Sequence, residues 1–304
     1  MDEALRITSA PPDGDRLLMR PEREDIASPD FPESLEWLGE PPASMAMLAA
    51  AGPVLVHFFD FAQLNSVRTL PYLVEWHRRY REHGLTTIGV QAPRFPFGAE
   101  RQTVEAGVRR LGLEHPVAID AERDLWHDYG CEGWPSLFLW RGAGALAWFH
   151  FGEGDYLGTE EAIQAELREL DALRELPPPL APLRPTDAVG ARVMAPTPEI
   201  FPGGSWERPW TAGEDGVDVE IESGAGGAYA PVEGRGEIAI ELDGEWTGTV
   251  EVDGAALYSM TEHPRHEAHA LALRPSAGLR VWSLSFAAGV PTPPSSPRGS
   301  PWAA

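Results

Sequence analysis

The run LPPPLAPLRP at residues 176–185 separates two stretches of this chain whose apolar residues recur with different periods. Proline holds φ near −65° and offers no backbone N–H, so neither a helix nor a central strand continues through such a run. Before it, strand-like and helix-like segments alternate. Val54–Phe59 is an apolar run rich in β-branched and aromatic residues, as in a buried strand. Leu64, Val67, Leu70, Leu73, Val74, His77 and Tyr80 then recur at intervals of three and four, which predicts an amphipathic helix with Pro71 as a kink inside it. Strands are predicted over 86–91, 116–120, 136–140 and 145–151, and helices over 100–111, 121–129 and 159–173. Residues 141–144 (RGAG) join the last two strands as a hairpin. Parallel βαβ units followed by an antiparallel hairpin and a helix describe an α/β domain.

Beyond the proline run the pattern is of short strands between turn residues, over 217–222, 236–242, 247–253, 269–273 and 279–286. That spacing predicts an all-β sandwich. The expected organisation is a polar arm (1–30), an α/β domain (31–175), a linker (176–192), the sandwich (193–290) and a disordered tail (291–304).

Charge narrows the partners. The formal net charge is −23, and all 24 basic residues are arginine. Phosphate backbones and anionic membrane surfaces need clustered cations, so nucleic acid is disfavoured. Without lysine there is no Schiff base and no P-loop. No apolar run is long enough to span a bilayer, which disfavours membrane insertion. The start, MDEALRITSAPPDGD, lacks a basic and then apolar leader, so cytoplasmic residence is the default expectation. A single cysteine excludes an internal disulfide and any cysteine-rich metal site. No cofactor is implied.

The segment VHFFDFAQLNSVRTLPYL (56–73) resembles the VDFWTYTCxNCxRTLPYL motif of extended thioredoxin-like proteins of the TlpA/DipZ type. Asn65, Arg68, Thr69, Leu70, Pro71, Tyr72 and Leu73 match. The two cysteines fall on Gln63 and Ser66, and the buried carboxylate of the motif on His57. A dithiol oxidoreductase needs a thiolate at a helix N-terminus and a second thiol one turn on. Gln63 is no nucleophile, and a serine hydroxyl stays protonated at neutral pH without an adjacent base. The expectation is a degenerate redox site with no catalytic residue. Asn65 and Ser66 serve as first-turn polar residues, and His57 as a neutral core histidine with one hydrogen-bond partner.

The resemblance extends to HFGEGDY (150–156) and to Trp134-Pro135, where it implies a cis-proline beside the site. A cis-proline loop offers backbone polar groups to an extended peptide, so Pro135, Trp134 and Asn65 are candidate binding residues. DipZ-type relatives often face outward, which leaves an extracytoplasmic location open. Residues 193–290 resemble the C-terminal, carbohydrate-binding-like module of the same family through TPE (197–199), LYSM (257–260) and VWSLSF (281–286). Sugar-binding sandwiches stack pyranose rings on exposed aromatics. Trp206, Trp210, Trp246 and Tyr258 are the candidates, with Glu207 and Glu245 as polar partners, whereas Trp282 alternates with apolar positions and is expected in the core. His263, His266 and His269 lie around Pro264 at a spacing that fits no helical metal motif, which predicts a solvated loop and no metal site.

The expected function is therefore binding or adaptor work by a redox-inactive thioredoxin-like protein, with an unknown protein or glycan ligand and oligomer formation left open. Two alternatives stand beside it. One is a residual thiol-dependent oxidoreductase acting through Cys131; the other is a purely structural two-domain scaffold.

Overall fold

A computed structural model describes residues 26–42, 44–213 and 219–292 of the chain. Most of the expected arm, most of the expected tail and the first two residues of the strand predicted from 217 lie outside the described residues.

The first half folds around one six-stranded mixed sheet. Its strands are β1 (Glu36–Leu38), β2 (Val54–Phe59), β3 (Thr86–Gln91), β4 (Val117–Ile119), β5 (Ser136–Trp140) and β6 (Leu146–Phe151). They lie in the order β1-β4-β3-β2-β5-β6. β2, β3 and β4 run parallel, and β5 and β6 add an antiparallel hairpin. The helices are α1 (Met45–Ala51), α2 (Leu64–Tyr80), α3 (Arg101–Arg110), α4 (Asp124–Asp128) and α5 (Tyr156–Leu170). Central β2 is buried along its whole length, as a strand covered on both faces must be. Val54, Val56 and Phe58 pack with α1 and Tyr129 on one side, and Leu55 packs with Tyr72, Trp76 and Ile163 on the other. α2 continues through Pro71. Gly107 lets α3 approach the connection between β2 and α2, because a Cβ there would lie 2.7 Å from Cγ of Phe61. This is a thioredoxin-like domain.

The proline run does not stand free. The N–H of Leu180 donates to buried Glu160 (2.8 Å), and that of Leu183 to the Tyr72 hydroxyl (2.8 Å). Gln164 Nε2 donates to the Pro177 carbonyl (2.9 Å). Leu176 and Leu180 pack on the α2–α5 core. Donors and acceptors that a polyproline stretch leaves unused are thus taken up by the first domain.

The second half is all antiparallel β: β7 (Trp210–Thr211), β8 (Val219–Glu233), β9 (Gly236–Leu242), β10 (Glu245–Val252), β11 (Ala256–Pro275), β12 (Arg280–Val281) and β13 (Ser285–Ala287). The strand order is β10-β9-β11-β8-β12-β7, with β13 also on β8. A straight strand as long as β11 would reach about 60 Å. Yet Tyr258 and Met260 near its start share one core cluster with Leu271 and Leu273 near its end. The long strands curl, at register shifts between Ser259 and Thr261 and between Glu262 and Glu267. Two expectations change here. The glycines and Pro231 of 224–233, read as turn residues, belong to β8, and the region around Pro264, read as a loop, belongs to β11. Pro264 is accommodated because it falls where β11 skips its partners on β8.

A polar clamp and an aromatic cluster join the halves. Arg94 donates to both carboxylate oxygens of Glu199 (3.1 and 2.7 Å), and Ser285 Oγ donates to the same carboxylate (3.1 Å). Trp282 is buried as expected, but its ring meets Phe95 and Phe97 of the first domain at 5.6 and 5.7 Å. We expect Trp282→Ala to cost about 3–5 kcal/mol in urea unfolding. Trp282→Phe should recover most of that loss, and a loss under about 1 kcal/mol for the alanine variant would count against a packed seam.

Candidate functional site

At the start of α2 the side chain of Gln63, not a thiol, closes the helix. Its backbone is extended (φ −98°, ψ 127°) and its Oε1 accepts the N–H of Ser66 at 2.8 Å. That is the work of an N-cap, done here by a longer side chain than the usual serine or aspartate. Ser66 is fully buried, and its Oγ accepts the N–H of Asp60 at 3.2 Å. Half-buried Asn65 contributes its carbonyl to Thr69 Oγ1 (2.9 Å). Neither Gln63 nor Ser66 therefore presents a nucleophile, and first-turn capping falls to Gln63 rather than to Asn65 and Ser66.

Beneath the helix start lies Asp60, which sequence reasoning missed; its only signal was a charge at the end of an apolar strand. Its Oδ1 accepts from Ala62 N (2.7 Å) and its Oδ2 from Arg94 N (2.6 Å). Burial holds its carboxyl above the ordinary range, against the pull of these N–H groups. His57 is likewise fully buried and stacks on Phe59 at 5.2 Å. Contrary to the expected single hydrogen bond, neither ring nitrogen has a partner among the described residues. Its strand neighbours are Gly89 and Leu137, which bring only backbone and aliphatic surface. Burial, and then His115, push the His57 pKa down to about 3, and burial, and then His77, lower His115 to about 3.

The Trp134–Pro135 peptide is cis. Trp134 is held by its own indole, which donates to the Ala92 carbonyl (2.8 Å) and stacks on Trp126 at 5.4 Å. Pro135 is buried, and its carbonyl accepts the Gly152 N–H (2.8 Å). One backbone acceptor counted on for peptide pairing is thus already used.

What the fold does bring together is the two matched segments. Arg68 Nε donates to Glu153 (2.6 Å), and Tyr72 stacks face to face on Tyr156 with centroids 3.7 Å apart. The Tyr72 hydroxyl donates to Asp187 (2.8 Å), and Arg184 ion-pairs with Asp187 (3.0 Å). Burial raises the Tyr72 pKa to about 12, so its hydroxyl remains a donor at any ordinary pH. Two adjoining clefts of about 380 Å³ each open here, and both are lined by Arg68, Thr186 and Ala288. One extends along Glu153 and Tyr156, the other along Arg184, Tyr229 and His263 of the second domain. Asn65, Trp134 and Pro135 line neither.

The aromatic residues expected to receive a sugar are dispersed. Trp246 is 68% exposed on edge strand β10, while Trp206, 39% exposed, precedes β7 at the other end of the strand order. Trp210 packs on the β core. Tyr258 is only 7% exposed; its hydroxyl donates to Asp253 and Gly254, and Arg110 covers its ring at 5.0 Å. Cys131 is buried in the first core, where burial pushes its thiol up to about 12. Such a thiol is almost wholly protonated at neutral pH and a poor nucleophile.

No family model matches the chain. It is 27% identical over 300 residues to protein DipZ of Mycobacterium bovis (strain ATCC BAA-935 / AF2122/97), covering 85% of this chain and 42% of DipZ. NHL repeat-containing protein 2 of Homo sapiens is 32% identical over 133 residues, 43% of this chain and 18% of that protein. Among solved structures, a putative thiol:disulfide interchange protein DsbE from Chlorobium tepidum superposes with a TM-score of 0.41 at 20% identity, over 46% of this chain and 95% of that one. The chain thus spans less than half the length of the curated relatives it matches. It is similar to DipZ along most of its own length, and its first domain has the thioredoxin-like fold. Among the described residues no helix is long and apolar enough to cross a membrane.

The buried imidazoles set a pH dependence. With folded pKa values near 3 against 6.5 for an unperturbed histidine, the unfolded chain binds more protons below pH 6.5. Their contribution is complete above pH 6.5 and is lost as pH falls toward 3. Asp60, raised by burial, acts with the opposite sign, losing stability as pH rises through its folded pKa. We expect His57→Phe to flatten the acid limb of urea-unfolding free energy against pH, by at most about 5 kcal/mol on full titration. An unchanged slope between pH 6.5 and 4 would show that His57 is not held neutral.

Proposed function

We propose that this chain, on the thioredoxin-like frame it shares with DipZ, is a redox-silent binding protein and not a thiol oxidoreductase. The fate of the thiol positions carries the reading. Gln63 is occupied as a helix cap, Ser66 is buried and bonded to the Asp60 N–H, and the single cysteine is buried with a raised pKa. A proton-labile sulfur is the one group that disulfide exchange cannot do without.

The binding surface is the paired cleft beside α2, and its occupant is an extended segment of a protein partner. Arg68 and Arg184, paired with Glu153 and Asp187, line it with charge, and half-buried Tyr229 supplies an aromatic surface. An open, charged groove beside an aromatic ring suits an extended peptide with side chains to either side. The glycan reading is second, and it rests on the exposed indole of Trp246 alone.

Insulin-disulfide reduction by the whole protein should be at background and unchanged in Cys131→Ser; activity that disappears in that variant would overturn the redox-silent reading. Thermal unfolding against an extended-peptide library and an oligosaccharide panel locates the ligand. A ligand at 100 times its Kd adds about 2.7 kcal/mol. The peptide reading expects that gain to vanish in Arg68→Gln, whereas a saccharide-specific gain that vanishes in Trp246→Ala would replace it with the glycan reading.

A further inference from the structure

The bulge in β11 creates a side-chain constellation that spacing alone had argued against. His263 and His269 are six residues apart, a separation of about 20 Å along a straight strand. Where the ladder to β8 slips between Glu262 and Glu267, the strand doubles up and brings the two rings to 4.8 Å between centroids. Glu267 lies between them. Its Oε2 is 3.3 Å from His269 Nε2 and 3.8 Å from His263 Nδ1, and the candidate ligand atoms of all three residues lie within 4.8 Å of one another.

A fourth residue orients the set. Asp243 and Gly244 form the two-residue turn between β9 and β10, with φ values of 54° and 81° at both central positions. The turn aims the Asp243 carboxylate at β11, where Oδ1 accepts the Ala270 N–H (2.9 Å) and Oδ2 accepts from His269 Nδ1 (2.8 Å). Donation from Nδ1 leaves the lone pair of Nε2 pointing at Glu267. With both rings neutral, two imidazole lone pairs face a carboxylate oxygen, an arrangement that either a proton on His269 Nε2 or a metal cation between the three atoms relieves. A carboxylate on the outer nitrogen of a histidine is also the usual support for a metal-binding imidazole.

We propose that His263 Nδ1, His269 Nε2 and Glu267 Oε2 form a binding site for a divalent transition-metal ion of the zinc class, with Asp243 positioning His269. A tetrahedral ion with ligands at about 2.0–2.1 Å has ligand–ligand edges near 3.3 Å. The Glu267–His269 separation already has that length, and His263 Nδ1, 3.8 Å from Glu267 and within 4.8 Å of the His269 ligand atom, has to move inward to complete the two remaining edges. Two imidazoles and one carboxylate select zinc-like ions over calcium or magnesium, which take oxygen ligands. Three protein ligands leave one position for water or an incoming group. With side chains 13%, 22% and 38% exposed for His263, His269 and Glu267, the site is open to an ion from solvent.

Equilibrium titration of the whole protein with Zn²⁺, and with Co²⁺ read by its visible absorption, tests the proposal. One equivalent should bind, and the Co²⁺ spectrum should be that of a four-coordinate ion. Asp243→Asn should weaken binding by about 10- to 100-fold, and His263→Gln, His269→Gln and Glu267→Gln by more. His127→Gln, on an exposed histidine of the other domain, should leave binding unchanged. Thermal unfolding in chelator separates lost binding from lost folding, and if a variant unfolds, the Co²⁺ spectrum of the wild type decides. Absence of stoichiometric binding, a six-coordinate Co²⁺ spectrum, or binding that survives the His263→Gln/His269→Gln double variant would overturn the site and leave an imidazole–carboxylate ion-pair network.

Discussion

Asp60 is a carboxylate without access to solvent, and the seam of this molecule is arranged around satisfying it. Burying such a group is costly unless hydrogen bonds replace water. Here they come from Ala62 N and Arg94 N, the first at the approach to α2 and the second in the loop after β3. Once the Arg94 backbone is held there, its guanidinium reaches Glu199 of the second domain, and Phe95 and Phe97 next to it receive Trp282. One buried carboxyl thereby ties the approach to the helix to the loop whose residues meet the β domain.

That placement accounts for the character of the site. The start of α2 presents no reactive group, and the helix lies against strand β13 of the second domain. Its polar residues are committed to structure: Gln63 to the helix, Ser66 to Asp60, Arg68 to Glu153. The two segments that carry the family resemblance share one face of the sheet and are partners in space, because Arg68 and Tyr72 of one contact Glu153 and Tyr156 of the other. The proline run closes the far side of this cluster through Tyr72, Gln164 and Glu160.

Much of the first domain was legible because its signals are local. Val54–Phe59, Thr86–Gln91 and Ser136–Trp140 form strands with the bounds that their apolar runs predict, and α2 begins at Leu64 where its period begins. The β domain was harder to read. β8 and β11 contain glycines, Pro231 and Pro264, whose usual meaning is a turn, and only pairing with a neighbouring strand makes them strand residues. Tyr258 looked like a sugar platform but is covered by Arg110, a residue distant in sequence. Asp60 left almost no trace, since nothing local says that a charge will be buried.

The sequence by itself determined the order of elements, the presence of a single cysteine and the acidic, lysine-free composition, because periodicity and residue chemistry are carried by neighbours along the chain. Tertiary structure decided the rest: that Ser66 is sealed, that Trp282 serves the seam and not its own core, and that His263, Glu267 and His269 meet. Each of those outcomes depends on which distant backbone lies opposite a side chain, and burial and register set that only when the whole chain has folded.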